Sequence, residues 1–372
     1  MVLQDVPQSL RQNSAVGLTD RHFRFRALDG YRFLAALCVV MYHYNNRFSL
    51  GLDRWLPMID DFNLMVDFFF LLSGFVIARA YGQRLANLGD YARFLWARVA
   101  RLYPLYFVTT GLAALAGWLY SSRGLSPEHP EMAWNGLPAA MLLLQATGML
   151  DHLTFNLASW SISAEFMMYG LSPLFLRFLS RVGGLWALIT AVAFALLFQL
   201  MRDAAHQRAW TEATFDYGAL RALPTFLTGM VIAQSLPRLR ALPIPPWALV
   251  HGGFLLILLG MNLHWPPAWL IVLLALMLTA CALAELGGAD NFMRGAMMGH
   301  LGDASYGLYL VHQLVAIFVP GYFGDWGLAS PQARPWLALA CAIASILAAL
   351  ASYRWLESPL RRALIARPWR IA

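Results

Sequence analysis

The stretch Leu28-Asp29-Gly30-Tyr31-Arg32-Phe33-Leu34-Ala35-Ala36-Leu37-Cys38-Val39-Val40-Met41-Tyr42-His43 holds the start of the chain's first apolar run, and Arg32 and His43 stand out in it. They lie eleven positions apart. Eleven helical steps of 100° end about 20° past three full turns, so both side chains share one face, separated by about 16 Å of rise. That rise is roughly half of a ~30 Å hydrocarbon core. A cation near one membrane surface and a titratable imidazole near the midplane then line a single path, suited to a long anionic cofactor. Ionisable groups at such depth are costly and are functional candidates. The structural reading of the same pair is a snorkelling arginine and a hydrogen-bonded core histidine.

Working outward, the whole chain has this apolar character. It is 59% hydrophobic and 13% charged over 372 residues, with a mean hydropathy of +0.55. Soluble domains carry about 25% charged residues, so the expected fold is all-α, a polytopic transmembrane helical bundle. All 27 basic residues are arginine, giving a formal charge of +7. These charges flank apolar runs and form no continuous basic face, which argues against nucleic-acid binding. Cys38, Cys281 and Cys341 each lie within an apolar run, without metal-ligand spacing, so buried free thiols are expected and no metal. The first 26 residues are polar and lack a short apolar core with a cleavage site, so no secretory signal peptide is expected.

Apolar runs centre on residues 31–46, 62–80, 102–120, 158–176, 184–201, 219–236, 246–263, 267–286, 302–322 and 335–356. An eleventh stretch, 135–150, contains Gly136, Pro138 and Gly148 and is short for a span. If it does not cross, nineteen arginines fall on one side and six on the other, with Arg32 and Arg221 at span ends. The positive-inside tendency then gives ten spans, both termini in the cytoplasm, and 135–150 re-entrant or interfacial. Three units follow: a cytosolic polar arm (1–26), a membrane-embedded domain (27–358) and a basic cytosolic tail (359–372).

Further polar residues punctuate the runs. Arg98 and Arg101, in Arg93-Phe94-Leu95-Trp96-Ala97-Arg98-Val99-Ala100-Arg101, share a helical face on the cytoplasmic side. Guanidinium groups match phosphate oxygens in geometry and charge, so the pair reads as a phosphate clamp or as a positive-inside anchor. Asp67 sits in the run Val66 to Phe75 and can pair with an arginine or orient His43. Ser73-Gly74 permits close helix approach, which favours a packing role for Ser73. Glu165, in Trp160-Ser161-Ile162-Ser163-Ala164-Glu165, opens the fourth span near the expected outer face. There it either meets a substrate hydroxyl, works with His43, or is a helix-start carboxylate favoured by the dipole. Ser305, Tyr309 and His312 share a face of the ninth span, where Tyr309 and His312 can satisfy one another. Arg354-Trp355-Leu356-Glu357-Ser358-Pro359 reads as an interface tryptophan, an ion pair and a helix stop.

In order along the chain, these residues resemble the acyltransferase-3 family of integral membrane enzymes, which O-acylate cell-envelope glycans and some small molecules. The matching positions are Leu28-Asp29-Gly30, Arg32 with His43, Phe68 to Phe75, Arg98 and Arg101 with Pro104, Trp160-Ser161 with Glu165, Tyr306 to His312, and Glu357 with Pro359. The likeness runs from about residue 27 to 360. It departs at Phe166-Met167-Met168, where many members are more polar, and in having no soluble domain after the last run. The resemblance implies an acyl-CoA donor from the cytosol, acetyl-CoA first among them, whose phosphates meet Arg32, Arg98 and Arg101 while His43 works near the thioester as general base, with Glu165 as a second catalytic candidate. Asp29, Asp67, Ser73, Ser161, Tyr306, Tyr309 and His312 become substrate or support positions. It further implies a glycan or small-molecule hydroxyl acceptor and a place in the bacterial inner membrane. The alternative class is a polytopic transporter or flippase without acyl chemistry; the absence of an internal repeat gives an inverted-repeat transporter no support.

Overall fold

A computed structural model describes residues 24–82, 87–122, 133–288, 290–323 and 330–366. The polar arm before residue 24 and the tail beyond 366 therefore lie outside the described residues. Within them the chain is helical and contains no strand. The helices are α1 (Arg26–Phe48), α2 (Met65–Tyr81), α3 (Leu88–Ser122), α4 (Leu137–Met141), α5 (Trp160–Ala204), α6 (Gly218–Leu239), α7 (Trp247–Asn262), α8 (Pro267–Leu286), α9 (Ala296–Phe323), α10 (Arg334–Ser352) and α11 (Ser358–Ala366).

Each expected run coincides with a helix, and the differences have local causes. The 45 residues of α5 would extend about 67 Å as one helix, more than two hydrocarbon cores. The chain breaks at Gly183, where φ is 79° and ψ 167°, a conformation open to glycine and strained for side chains. The break falls between the two apolar runs 158–176 and 184–201, just after Arg177 and Arg181. The stretch 135–150 holds only the five-residue α4 and then positive-φ positions at Leu143 and Gly148, so it is not a spanning helix.

Six helical segments among the described residues are long and apolar enough to cross a membrane: Pro57–Tyr81, Leu88–Leu119, Leu157–Ala204, Gly218–Leu239, Pro267–Leu286 and Arg334–Ala366. The outward surface is apolar, with Leu185, Val192, Leu196, Leu200, Leu255 and Leu276 all exposed. The chain is a membrane protein. Helix α7, at 16 residues, is apolar but shorter than these six segments. Helices α1 and α9 carry polar groups inside the bundle, among them Asn45, Ser305, His312 and Gln313.

Two features fix the site-bearing helices. Glu285, at the end of α8, accepts the backbone N–H groups of Arg26 (2.6 Å) and Ala27 (3.1 Å), capping α1 from a distant part of the chain. Helices α2 and α6 meet backbone to backbone through glycines. A Cβ at Gly74 would lie 1.9 Å from the Phe226 carbonyl oxygen, and one at Gly229 would lie 1.9 Å from that of Leu71. Small residues allow this approach where burial of apolar surface from water gives no drive between helices.

Candidate functional site

Helices α1, α2, α3, α5 and α9 border two adjoining spaces. A vestibule of about 730 Å³ is bounded by the start of α1, the end of α2, and the Tyr353–Ala366 region. A smaller inner chamber of about 90 Å³ lies among Ser73, Arg98, Ser161, Glu165 and Tyr309. Arg32, Leu72, Val76, Arg101 and Tyr306 border both, so they mark the passage between the two.

The arginines of this passage are held differently. Arg32 donates from Nε to Ser305 Oγ (2.8 Å) and from Nη2 to the Gly302 carbonyl, and lies 3.5 Å from Asp29. It thus ties α1 to α9 while still facing the passage. Arg98 is packed among the rings of Tyr81, Phe94 and Tyr169 at 5.5, 5.7 and 5.8 Å, a set of cation–π contacts, with a 3.3 Å bond from Nη2 to the Tyr81 hydroxyl. Its Nε is buried without a hydrogen-bond partner. Arg101, one turn further along α3, makes no hydrogen bond or ion pair among the described residues and borders both spaces. A partly buried guanidinium left unpaired beside a cavity is an anion site in waiting. Across the vestibule wall six arginines face three carboxylates, Asp29, Asp303 and Glu357.

At the vestibule mouth Arg24 bridges Asp29 (2.6 Å) and Asp303 (2.5 Å). Burial opposes its charge, but these two carboxylates more than offset that and hold its pKa above the ordinary arginine value. Glu357 projects inward from a π-helical turn, Tyr353–Glu357, and accepts from Ser352 Oγ at 2.8 Å. The expected ion pair and helix stop at this motif are not what forms: the chain continues into α11.

Glu165 is part-buried and lines the inner chamber. It lies inside the bundle, accepting from the hydroxyls of Ser73 and Tyr169, because the Leu157–Ser159 turn places the start of α5 already within the protein. Ser73, midway along α2, is therefore a donor to a carboxylate. Ser161 Oγ and the Tyr309 hydroxyl are 2.8 Å apart, and Tyr309 also donates to the Ala158 carbonyl at 3.1 Å. Tyr309 thus pairs with α5, and the expected Tyr309–His312 pairing is replaced by another. His312 Nε2 lies 3.0 Å from His43 Nδ1, and His312 Nδ1 lies 3.1 Å from the Leu308 carbonyl oxygen. This histidine pair borders neither space. Tyr309 separates it from the inner chamber, its ring 6.0 Å from that of His312 and 5.7 Å from Phe69. Asp67 pairs with Arg221 at 2.7 Å, both side chains 1% exposed, so it does not orient His43.

One chamber and its vestibule therefore gather Asp29, Arg32, Ser73, Arg98, Arg101, Ser161, Glu165, Tyr306 and Tyr309 from separate helices, while His43 with His312 and Asp67 with Arg221 form two pairs outside it. Sequence reading overlooked Tyr169, Arg24, Asp303 and Arg221. Tyr169 had a usable signal, since it follows Glu165 by four residues and shares its helical face. Arg221 had none, because its partner is distant in sequence.

A polytopic helical protein with an arginine-lined passage leading to buried polar side chains is the frame of a membrane acyltransferase. The chain belongs to the acyltransferase-3 family, matching its acyltransferase domain over residues 25–354. It is 29% identical over 377 residues to the acyltransferase MdmB of Streptomyces mycarofaciens, covering 92% of this chain and 93% of that one. It is 24% identical over 379 residues to a Staphylococcus aureus protein provisionally named an O-acetyltransferase, covering 92% of this chain and 58% of that longer protein. A 93-residue stretch is 46% identical to protein 2 of the picA locus of Rhizobium radiobacter, covering 24% of this chain and 44% of that one. No solved structure matches the chain. The protein is an acyltransferase for groups other than aminoacyl groups.

Proposed function

We propose that this protein moves an acyl group, acetyl first among them, from cytosolic acyl-CoA to a hydroxyl of a cell-envelope glycan or similar glycosylated acceptor. The observation that carries the reading is Arg101, a guanidinium with no ion pair among the described residues, bordering both spaces in a vestibule where arginines outnumber carboxylates two to one. A polyanionic donor fits that surplus of positive charge. Arg32 and Arg98 complete the phosphate-facing set, Arg32 through the N–H groups its Ser305 and Gly302 bonds leave free. The pantetheine arm is long enough to run from the passage towards the membrane midplane, where it has to pass Tyr309 to bring the thioester to His43. There His43 takes the proton of the acceptor hydroxyl, its oxygen attacks the thioester carbonyl, the C–S bond breaks, and the thiolate leaves and is reprotonated. An imidazole can act in this way near neutral pH.

Calorimetry with acetyl-CoA and detergent-purified protein tests the donor site. Charge-assisted contacts contribute about 1.5–3 kcal/mol each, so Arg101→Ala is expected to weaken binding about tenfold or more. Because Arg101 makes no hydrogen bond or ion pair in the described structure, its melting temperature should stay near wild type. Arg101→Lys should rescue poorly if the contact is bidentate, an ammonium lacking the planar fork. Wild-type affinity in Arg101→Ala would overturn the clamp.

The donor has to enter from the cytosol, which fixes the orientation. The reading places ten spans in a bacterial inner membrane, counting α5 as two, with both termini cytoplasmic. Support comes from the nineteen-to-six arginine asymmetry, the Gly183 break and the non-spanning 135–150 segment. Reporter tags at both termini should report cytoplasm, and a cysteine placed in the 202–216 loop should be labelled from outside. An external C-terminus would break the scheme.

A further inference from the structure

We infer that His312 is a positioning residue that fixes the tautomer of His43, leaving the lone pair of His43 on Nε2. The inference rests on the proposed role of His43 as general base and adds which nitrogen does the work and what determines it.

The hydrogen-bond logic is directional. A backbone carbonyl oxygen only accepts, so the His312 nitrogen facing the Leu308 carbonyl at 3.1 Å, Nδ1, has to carry its proton. A neutral imidazole has one N–H, so His312 Nε2 is then an acceptor. That atom lies 3.0 Å from His43 Nδ1, which has to be the donor. The opposite assignment would set the bare Nδ1 of His312 against an oxygen lone pair inside the bundle, leaving two acceptors face to face. With Nδ1 protonated, Nε2 is the only basic site of His43.

The acceptor end of this relay is itself held in place. The Tyr44 hydroxyl donates to the His312 carbonyl at 3.0 Å and pairs with Ser345 Oγ at 2.8 Å, joining α1, α9 and α10 around the pair. His312 is 0% exposed, so bulk water does not reach this acceptor. In the transfer step His43 Nε2 takes the hydroxyl proton, and the resulting imidazolium is stabilised by the bond from its Nδ1–H to His312 Nε2. The proton then passes from Nε2 to the departing thiolate and both histidines are neutral again. No net proton is gained or lost.

The test is a double-mutant cycle in inside-out vesicles of the native membrane carrying the full chain, with radiolabelled acetyl-CoA as probe and label transferred to membrane material as readout. His312→Leu removes the acceptor and should lower turnover about tenfold or more, less than loss of the base itself, while acetyl-CoA affinity stays within about twofold. His312→Gln places an amide oxygen where it can accept from His43 Nδ1–H and should recover most of that loss. In a His43→Ala background His312→Leu should cost nothing further, since it acts only through His43. Folding of each variant is followed by its melting temperature, and the Gln/Leu contrast stands even if Leu lowers it. Near-normal turnover in His312→Leu, equal rates for the Gln and Leu variants, or full additivity of the two losses would each overturn the inference. Near-normal turnover in His43→Ala would instead remove the catalytic reading beneath it.

Discussion

Replacing His43 by alanine is expected to abolish acyl transfer while leaving the protein folded and inserted. General-base catalysis contributes about 10²- to 10⁴-fold, so a loss of at least about 10²-fold should appear in label transferred from acetyl-CoA. The variant should still bind acetyl-CoA as wild type does, because His43 borders neither the vestibule nor the inner chamber. This combination, normal donor affinity with lost turnover, separates a base from a binding residue. Among the described residues the imidazole makes one side-chain hydrogen bond, to His312, and its ring packs beside that of Tyr42 at 5.2 Å, so truncation removes little packing. A His43→Ala protein with near-normal turnover would sink the assignment.

The second large effect is structural. Asp67 and Arg221 form an ion pair with both side chains 1% exposed, and Arg221 also donates to the Asn63 carbonyl at 3.1 Å and lies 5.2 Å above the Trp160 ring. Removing one partner of such a pair leaves an uncompensated buried charge and costs about 3–5 kcal/mol. Asp67→Ala should therefore lose most of its folded protein or melt far below wild type in detergent. Replacing both partners, Asp67→Leu with Arg221→Met, should recover much of the loss, because well-packed apolar residues of similar volume often match a buried ion pair. Acetyl-CoA affinity of the recovered double variant should equal wild type if the pair only joins α2 to α6. A single Asp67→Ala variant with unchanged melting would show that Arg221 finds another partner.

These two expectations divide the polar residues of the apolar runs into those that react and those that hold helices together. Sequence spacing alone does not make that division. His43 and Asp67 both appear as isolated ionisable groups in apolar helices, and membrane depth makes each a candidate for function. The partner differs: an imidazole for one, a guanidinium for the other.

What the sequence by itself determined is what depends on local periodicity and composition. Apolar runs of spanning length made the chain a helical membrane protein, since hydrocarbon leaves backbone groups no partner except those within the helix. The shared face of Arg32 and His43, and that of Arg98 and Arg101, followed from the helical repeat, and the order of these motifs pointed to the acyltransferase-3 family. The short, glycine- and proline-containing 135–150 stretch was legible as a non-spanning segment for the same reason. Only the tertiary structure decided the pairings between helices. Ser73 and Tyr169 converge on Glu165, His312 faces His43 and Tyr309 does not pair with it, Asp67 meets Arg221, and Arg98 is enclosed by aromatic rings while Arg101 makes no ion pair among the described residues. Helical periodicity tells which way a side chain points around its own axis, but not which neighbour stands opposite or at what depth. That is set by how close two helices come, as where Gly74 and Gly229 bring α2 and α6 into backbone contact, and no spacing within one helix encodes that distance.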